Sequence, residues 1–439
     1  MILIAILFFC FACFIIISNN IIIKNIVLKS ILSLYFSITI LSFCYFISLT
    51  IDLNFIFFEI LCIIFPLIYL VLYFIKEKKI IINLNLLKKE SFFVLTFVLL
   101  LISIFSYNYF NASIRWGGWD AWAIWSLHAK MLVNETYFRN LFVEQISWTH
   151  SDYPLFLPSN IALIWKSIGV NSAFVPAIFA FVNAVAIILT ILTSFIEKRQ
   201  LYVGLLLFSI IIFKNILFPF VVSQQADTVL ALFILISFVL LQHLKEQNTL
   251  KIYFLIGFFV ASSAWIKNEG IVFFFIFSNG LFFKNFKNYK LITYYCFGTL
   301  LPLLVLIFFK TVYAPSSDLL QLKPEEYLSK LCNFENYVTI LEYAVQVDIC
   351  KYFLALLITV AIINYKYFYS FCFLVICGLL TAYFFIYVTT PNDLVWHLKT
   401  SLNRLFHHIT PVLFFSVFIT IAEKLSNVYF LKNLFKKQN

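Results

Sequence analysis

Charge is what this chain has least of. Of its 439 residues only 12% are Asp, Glu, Lys or Arg, and 63% are hydrophobic. Mean hydropathy is +0.99. A soluble domain of this length cannot bury so much apolar surface, so that class is excluded. The familiar nucleotide and hydrolase signatures are missing too: there is no Walker A motif, no G-x-G-x-x-G and no serine-nucleophile elbow. His397, His407 and His408 have no Cys or His set at metal-ligand spacing, so no zinc site is read. The first apolar run lacks a basic n-region and a small-residue cleavage site, which argues against a removed signal.

What is present is a succession of apolar runs of roughly 17–25 residues, the length that crosses a bilayer as a helix. The expected fold is all-α and polytopic, with about thirteen spans. They lie near 2–18, 31–50, 55–75, 91–108, 173–195, 200–218, 228–244, 252–266, 271–283, 291–310, 351–365, 367–388 and 411–428. The net charge of +11 does not point to nucleic acid, because the lysines sit in short clusters between spans. These are Lys76, Lys78, Lys79, Lys88 and Lys89; Lys198 with Arg199; Lys284, Lys287 and Lys290; and Lys432, Lys436 and Lys437. They read as cytoplasmic anchors, which puts the N-terminus outside and the C-terminus inside.

That orientation sends residues 109–172, 219–227, 267–270, 311–350 and 390–410 to the outer face. Every unusual polar cluster falls in this set. Arg115-Trp116-Gly117-Gly118-Trp119-Asp120-Ala121-Trp122 opens a helix expected over 119–134, lying along the membrane surface. Its Trp122, Trp125, Ala129 and Leu132 share one side, and Asp120, Lys130 and Asn134 another. The glycine pair favours close approach to a ligand, although Asp120 as a plain helix cap is an open alternative. His150-Ser151-Asp152-Tyr153-Pro154 precedes a half-embedded helix over 155–169. Asp227 begins a span, where a carboxylate also suits the helix dipole. Lys267-Asn268-Glu269 connects two spans, either as an ion-paired turn or as a reach towards an anion. Trp396, His397 and Arg404 lie just before the last span, and Arg favours bidentate phosphate or carboxylate partners. Seven of the nine cysteines lie in spans; Cys332 and Cys350 share the outer loop 311–350 and are expected to pair as a disulfide, or else to pack as two thiols.

In their order and placement these elements resemble the GT-C superfamily of integral-membrane glycosyltransferases. The likeness is to a bacterial branch related to family 39 protein mannosyltransferases and lipid A aminoarabinose transferases. Gly118-Trp119-Asp120-Ala121-Trp122 stands where that superfamily has an acid on a surface-lying helix. His150-Ser151-Asp152-Tyr153-Pro154-Leu155 loosely matches its His-Pro-Pro-Leu-like element, without the paired prolines. Ala226-Asp227 matches a later acid, and Arg404 to Pro411 an Arg-Tyr-Leu-Leu-Pro-like element. The resemblance covers roughly 91–411. It divides the chain into a three-span extension (1–90), a catalytic module (91–430) and a basic tail (431–439).

The resemblance implies inverting transfer of a sugar from a polyprenyl-phosphate donor to a lipid, polysaccharide or protein acceptor, outside the bacterial cytoplasmic membrane. Asp120 is then the catalytic base or its close partner. Lys267 and Arg404 bind the donor phosphate. Trp116, Trp119, His150, Asp152, Tyr153, Asp227, Asn268, Glu269 and His397 bind substrate. Asp120 lacks the adjacent second acid common in those relatives, so a divalent metal stands only as an optional cofactor. A transporter or flippase of lipid-linked saccharides, which breaks its helices near the midplane, and a non-catalytic scaffold are the open alternatives.

The orientation has a direct check. Single cysteines placed by Asp120→Cys or His397→Cys should react with an impermeant thiol reagent in intact cells. Labelling only after permeabilisation would reverse the assignment.

Overall fold

Apolar runs this long have one economical answer in a membrane: helices, which satisfy their own backbone hydrogen bonds. The computed structural model describes residues 2–20, 23, 25–77, 90–112, 115–197, 204, 205, 207, 209, 210, 216–245, 249–317 and 323–426, and these are helical almost throughout. In order they form α1 (Ile2–Asn20), α2 (Ile26–Thr50), α3 (Phe55–Glu77), α4 (Glu90–Ala112), α5 (Leu127–Val133), α6 (Phe156–Ile168), α7 (Phe174–Glu197) and α8 (Asp227–Gln242). Then follow α9 (Thr249–Ser263), α10 (Asn268–Asn285), α11 (Tyr289–Val312), α12 (Pro324–Cys332), α13 (Phe334–Gln346), α14 (Asp348–Asn364), α15 (Phe371–Val388) and α16 (Leu394–Ser426). Among the described residues eight helices are long and apolar enough to cross a membrane: α1, α2, α3, α7, α11, α14, α15 and α16. Shorter apolar helices lie over Val98–Ala112, Asp227–Gln242 and Leu250–Ser263. The protein is a polytopic helical membrane protein.

Several expected boundaries change. The span expected over 200–218 falls largely outside the described residues, as do Lys78, Lys79, Lys88, Lys89, Lys198, Arg199, Lys432, Lys436, Lys437 and the basic tail. The stretch 390–410 is not a loop. Its residues from Leu394 onward are the first turns of α16, a helix of 33 residues with Pro411 inside it. Proline removes the donor that would meet the His407 carbonyl, which is why the sequence suggests a helix beginning there. The surrounding chain overrides that local cost, since His407, His408, Ile409 and Thr410 are all buried.

The segment 311–350 is likewise helical, as α12, α13 and the start of α14. The Lys330 ammonium of α12 donates to the Thr390 carbonyl, tying this segment to the turn before α16. The expected Cys332–Cys350 disulfide is not formed: all nine cysteines are free thiols. The two lie in different helices, Cys332 closing α12 and Cys350 in the first turn of α14.

The first three helices are not an appendage. α2 is sunk into the main core. Tyr35 donates to Asn183 Oδ1 of α7 at 2.6 Å, and Tyr45 to the Leu132 carbonyl of α5 at 2.6 Å. Trp265, between α9 and α10, donates to Ser42 Oγ at 2.8 Å. Residue 90 is therefore no packing boundary.

α9 and α11 approach each other through glycine. A Cβ on Gly257 would lie 2.1 Å from the Tyr295 carbonyl oxygen, and one on Gly298 would lie 2.0 Å from that of Phe254. Small residues are what allow membrane helices to pack backbone to backbone. Gly298→Ala should therefore force the pair apart at a cost of about 1–3 kcal/mol, read as a lower thermal unfolding midpoint in detergent. An unchanged midpoint would show that the contact is looser than described.

Candidate functional site

The polar groups collect where helices reverse direction. α8, α10 and α16 begin at one end of the bundle, and α9, α11 and α15 finish there. Alternation of antiparallel helices thus brings Asp227, the 264–267 turn, Asn268, Glu269, Ser317, Asn392 and the first turns of α16 together.

At the centre is Lys267. It is 2% exposed. Its Nζ lies 2.9 Å from Asp227 Oδ1 and 2.8 Å from Glu269 Oε1. His408 Nε2, from α16, donates to the same Asp227 oxygen at 2.7 Å, and His408 Nδ1 is 3.3 Å from the Tyr383 hydroxyl of α15. Burial alone would strip the charge from Lys267, but the two carboxylates outweigh it and hold its pKa above the ordinary value. Of the two readings the sequence leaves open for Lys267, the ion-paired turn is the one formed here. The ammonium is turned inward and already shared by two acids.

Arg404 takes a different position. It pairs with Asp120, while its buried Nε has no hydrogen-bond partner. It lines a cavity of about 200 Å³ together with His150, Asp152, Tyr153, Asn268, Glu269 and His397. Asp120 is not among the residues that line this cavity, and it makes no capping hydrogen bond. Trp116, Trp119 and Asp227, expected to touch substrate, are not on the wall either.

The 150–154 turn is held from both sides. Trp125 stacks on Tyr153 at 5.6 Å between centroids, and His150 on the same ring at 5.2 Å. Burial pushes the Tyr153 phenol up, so it stays neutral. Asn268 Nδ2 donates to Asp152 Oδ2 at 2.7 Å. Lys310, at the end of α11, donates to the Asp152 carbonyl and to Asn268 Oδ1 at 2.8 Å. His128 is fully buried beneath this turn, 3.0 Å from Thr149 Oγ1, and burial drops its pKa to about 3, leaving it neutral. The helix expected over 155–169 is α6, closed by Gly169 with φ 71°.

The aromatic surface differs from the expected one. Residues 121–126 form a π-helical turn before α5. Trp125, Ala129 and Leu132 pack into the protein rather than onto lipid, and Trp122 departs from them at 49% exposed. The exposed rings are Trp119, Trp122 and Trp148, whose centroids lie 6.2–6.3 Å from Trp119. Gly117 serves another segment rather than a ligand. Its φ is 72°, and a Cβ there would lie 2.6 Å from the Ser223 carbonyl oxygen, which also accepts from Gly118 N at 3.0 Å.

Lys310, His408 and Tyr383 were not singled out in the sequence as site residues. Lys310 leaves one trace, a cation ending an apolar run. His408 stood out only as half of a histidine pair without metal partners, and Tyr383 was one tyrosine in a span. Among the described residues no three His, Cys, Asp or Glu side chains gather as a metal seat.

Lys267→Met should cost roughly 3–5 kcal/mol, because Asp227 and Glu269 would face each other with their shared ammonium gone. Thermal unfolding in detergent is the measurement; a shift of less than about 1 kcal/mol would show the triad to be dispensable.

No family model, curated protein or solved structure matches the chain, so its chemistry rests on the geometry above.

Proposed function

We propose that this protein is a GT-C-like glycosyltransferase that moves a sugar from a polyprenyl-phosphate donor to an acceptor at the outer face of the bacterial cytoplasmic membrane. In this reading the N-terminus is outside, the C-terminus is cytoplasmic, about thirteen spans complete the fold, and the transfer inverts the anomeric carbon. The observation that supports it best is the cavity. It gathers polar residues from the 150–153 turn, α10 and the start of α16 at one end of an otherwise apolar bundle. A lipid-linked donor needs this arrangement: hydrocarbon in the bilayer and a polar reaction chamber at its edge.

Arg404 is the candidate for the donor phosphate. A guanidinium at the wall of the cavity stabilises the negative charge that develops as the phosphate departs. Asp120, bonded to Arg404, orients that guanidinium, so of the two roles the sequence leaves open for it the partner role is favoured. His150, Asp152, Tyr153, Asn268 and His397 offer hydroxyl partners and a ring edge for the sugar and acceptor.

The test uses purified protein in nanodiscs with undecaprenyl phosphate as probe and intrinsic tryptophan fluorescence as readout, since Trp396 also lines the cavity. Arg404→Gln should weaken binding by roughly 2–5 kcal/mol, or about 30-fold or more. Asp120→Asn should leave binding unweakened but lower transfer at least about 100-fold, because the group is positioned wrongly rather than removed. Transfer is followed by the lipid-linked glycan profile of a deletion strain complemented with each variant. Unchanged affinity in Arg404→Gln removes the phosphate role, and an unaltered glycan profile on deletion removes the enzyme.

A further inference from the structure

Four carboxylates surround the centre of the site, and their free oxygens are unequal. Asp120 is occupied by Arg404. Asp227 gives Oδ1 to both Lys267 and His408 and keeps a buried Oδ2 without a hydrogen-bond partner, but it does not line the cavity. Asp152 lines it but accepts from Asn268 through Oδ2. Of the four, Glu269 combines a buried oxygen lacking a hydrogen-bond partner with a place on the cavity wall. Its Oε1 takes the Lys267 ammonium, while Oε2 is buried without a hydrogen-bond partner, on a side chain that is 18% exposed and lines the cavity.

A buried carboxylate oxygen left without a donor is a standing cost that folded proteins rarely keep. Here it is matched by its opposite. Arg404 Nε is a buried donor without an acceptor, and Arg404 lines the same cavity. An acceptor and a donor, both unsatisfied, suit a pair of reactants of which one brings a hydroxyl proton and the other an anionic oxygen.

We propose that Glu269 is the catalytic base that receives the proton of the acceptor hydroxyl through Oε2; this rests on the transfer reading above. The acceptor oxygen uses a lone pair to form its bond to the anomeric carbon, and the O–H proton passes to Glu269 Oε2. The bond from that carbon to the phosphate oxygen breaks, and its electron pair leaves on polyprenyl phosphate. Glu269 returns the proton to solvent as the products depart. Lys267 fixes Oε1, so the carboxylate cannot rotate away, and Trp265 anchors the turn bearing Lys267 to Ser42 of α2. The base and the phosphate ligand then come from two different helices, α10 and α16, with the sugar between them.

Glu269→Gln keeps an oxygen for Lys267 and changes little in shape, so it separates chemistry from folding. The assay uses full-length protein reconstituted with a total lipid extract of its host membrane, and reads release of polyprenyl monophosphate by mass spectrometry. Glu269→Gln should lower release by about 100- to 10,000-fold, while affinity for undecaprenyl phosphate stays within about twofold and the protein still folds, with a lowered unfolding midpoint because one of the two carboxylates facing Lys267 is neutralised. Glu269→Ala should regain at least about tenfold on addition of sodium formate, a small carboxylate that fits the vacated space; a purely structural side chain would show no such rescue. Release by Glu269→Gln within about tenfold of wild type, or a folded Glu269→Ala that formate does not restore, overturns the assignment. A wild-type protein that releases nothing from the extract removes the transfer reading itself, and the base with it.

Discussion

One ammonium group between two carboxylates organises this end of the protein. Taking Lys267, Asp227 and Glu269 out of water is costly, and only close mutual contact offsets it. The contact has to hold together the start of α8, the α9–α10 turn and, through His408, the middle of α16. Three segments with apolar flanks would otherwise be free to slide, because lipid-facing side chains impose no register. The ion cluster supplies that register. Around it three acids, Asp120, Asp227 and Glu269, meet two cations, Lys267 and Arg404, and the imidazole of His408.

α2 shows how a segment remote in sequence serves the same end. Ser42 accepts from Trp265, and Phe43 and Phe46 pack their ring edges and faces against that indole. The turn carrying Lys267 is thus braced from a helix more than two hundred residues earlier. Tyr45 does the same for α5 through the Leu132 carbonyl. The three helices before residue 90 are part of the scaffold on which the site stands.

The spans were legible because hydrophobic length is a property of the chain alone. α1, α3, α7, α11 and α15 match their apolar runs closely. α16 was not, because its first turns are polar and Pro411 mimics a helix start; only burial against the neighbouring helices explains their continuity. The candidate site was legible as a set of residues, since ionisable groups beside hydrocarbon stand out. His150, Asp152, Tyr153, Asn268, Glu269, His397 and Arg404 do line one cavity. Their division of labour was not legible. Whether Lys267 meets a phosphate or two acids, and whether Gly117 approaches a ligand or the Ser223 backbone, depends on partners distant in sequence. The face of the 119–134 segment was misjudged for a local reason: the π-helical turn at 121–126 rotates Trp122 away from Trp125.

The length of α16 sets an angular tolerance on the whole assembly. From Arg404 to the end of this helix is roughly 33 Å at the standard rise per residue. Hydrogen bonding at Arg404 tolerates displacements of about 1 Å before it weakens steeply. Seen from the far end, that displacement is a tilt of about 2°, far less than the spread of roughly 0–40° that membrane helices show. A change in bilayer thickness that is absorbed by tilting this one rod would therefore be felt directly as misalignment of the guanidinium. Bilayer thickness is then a quantity to which the site is coupled through simple leverage.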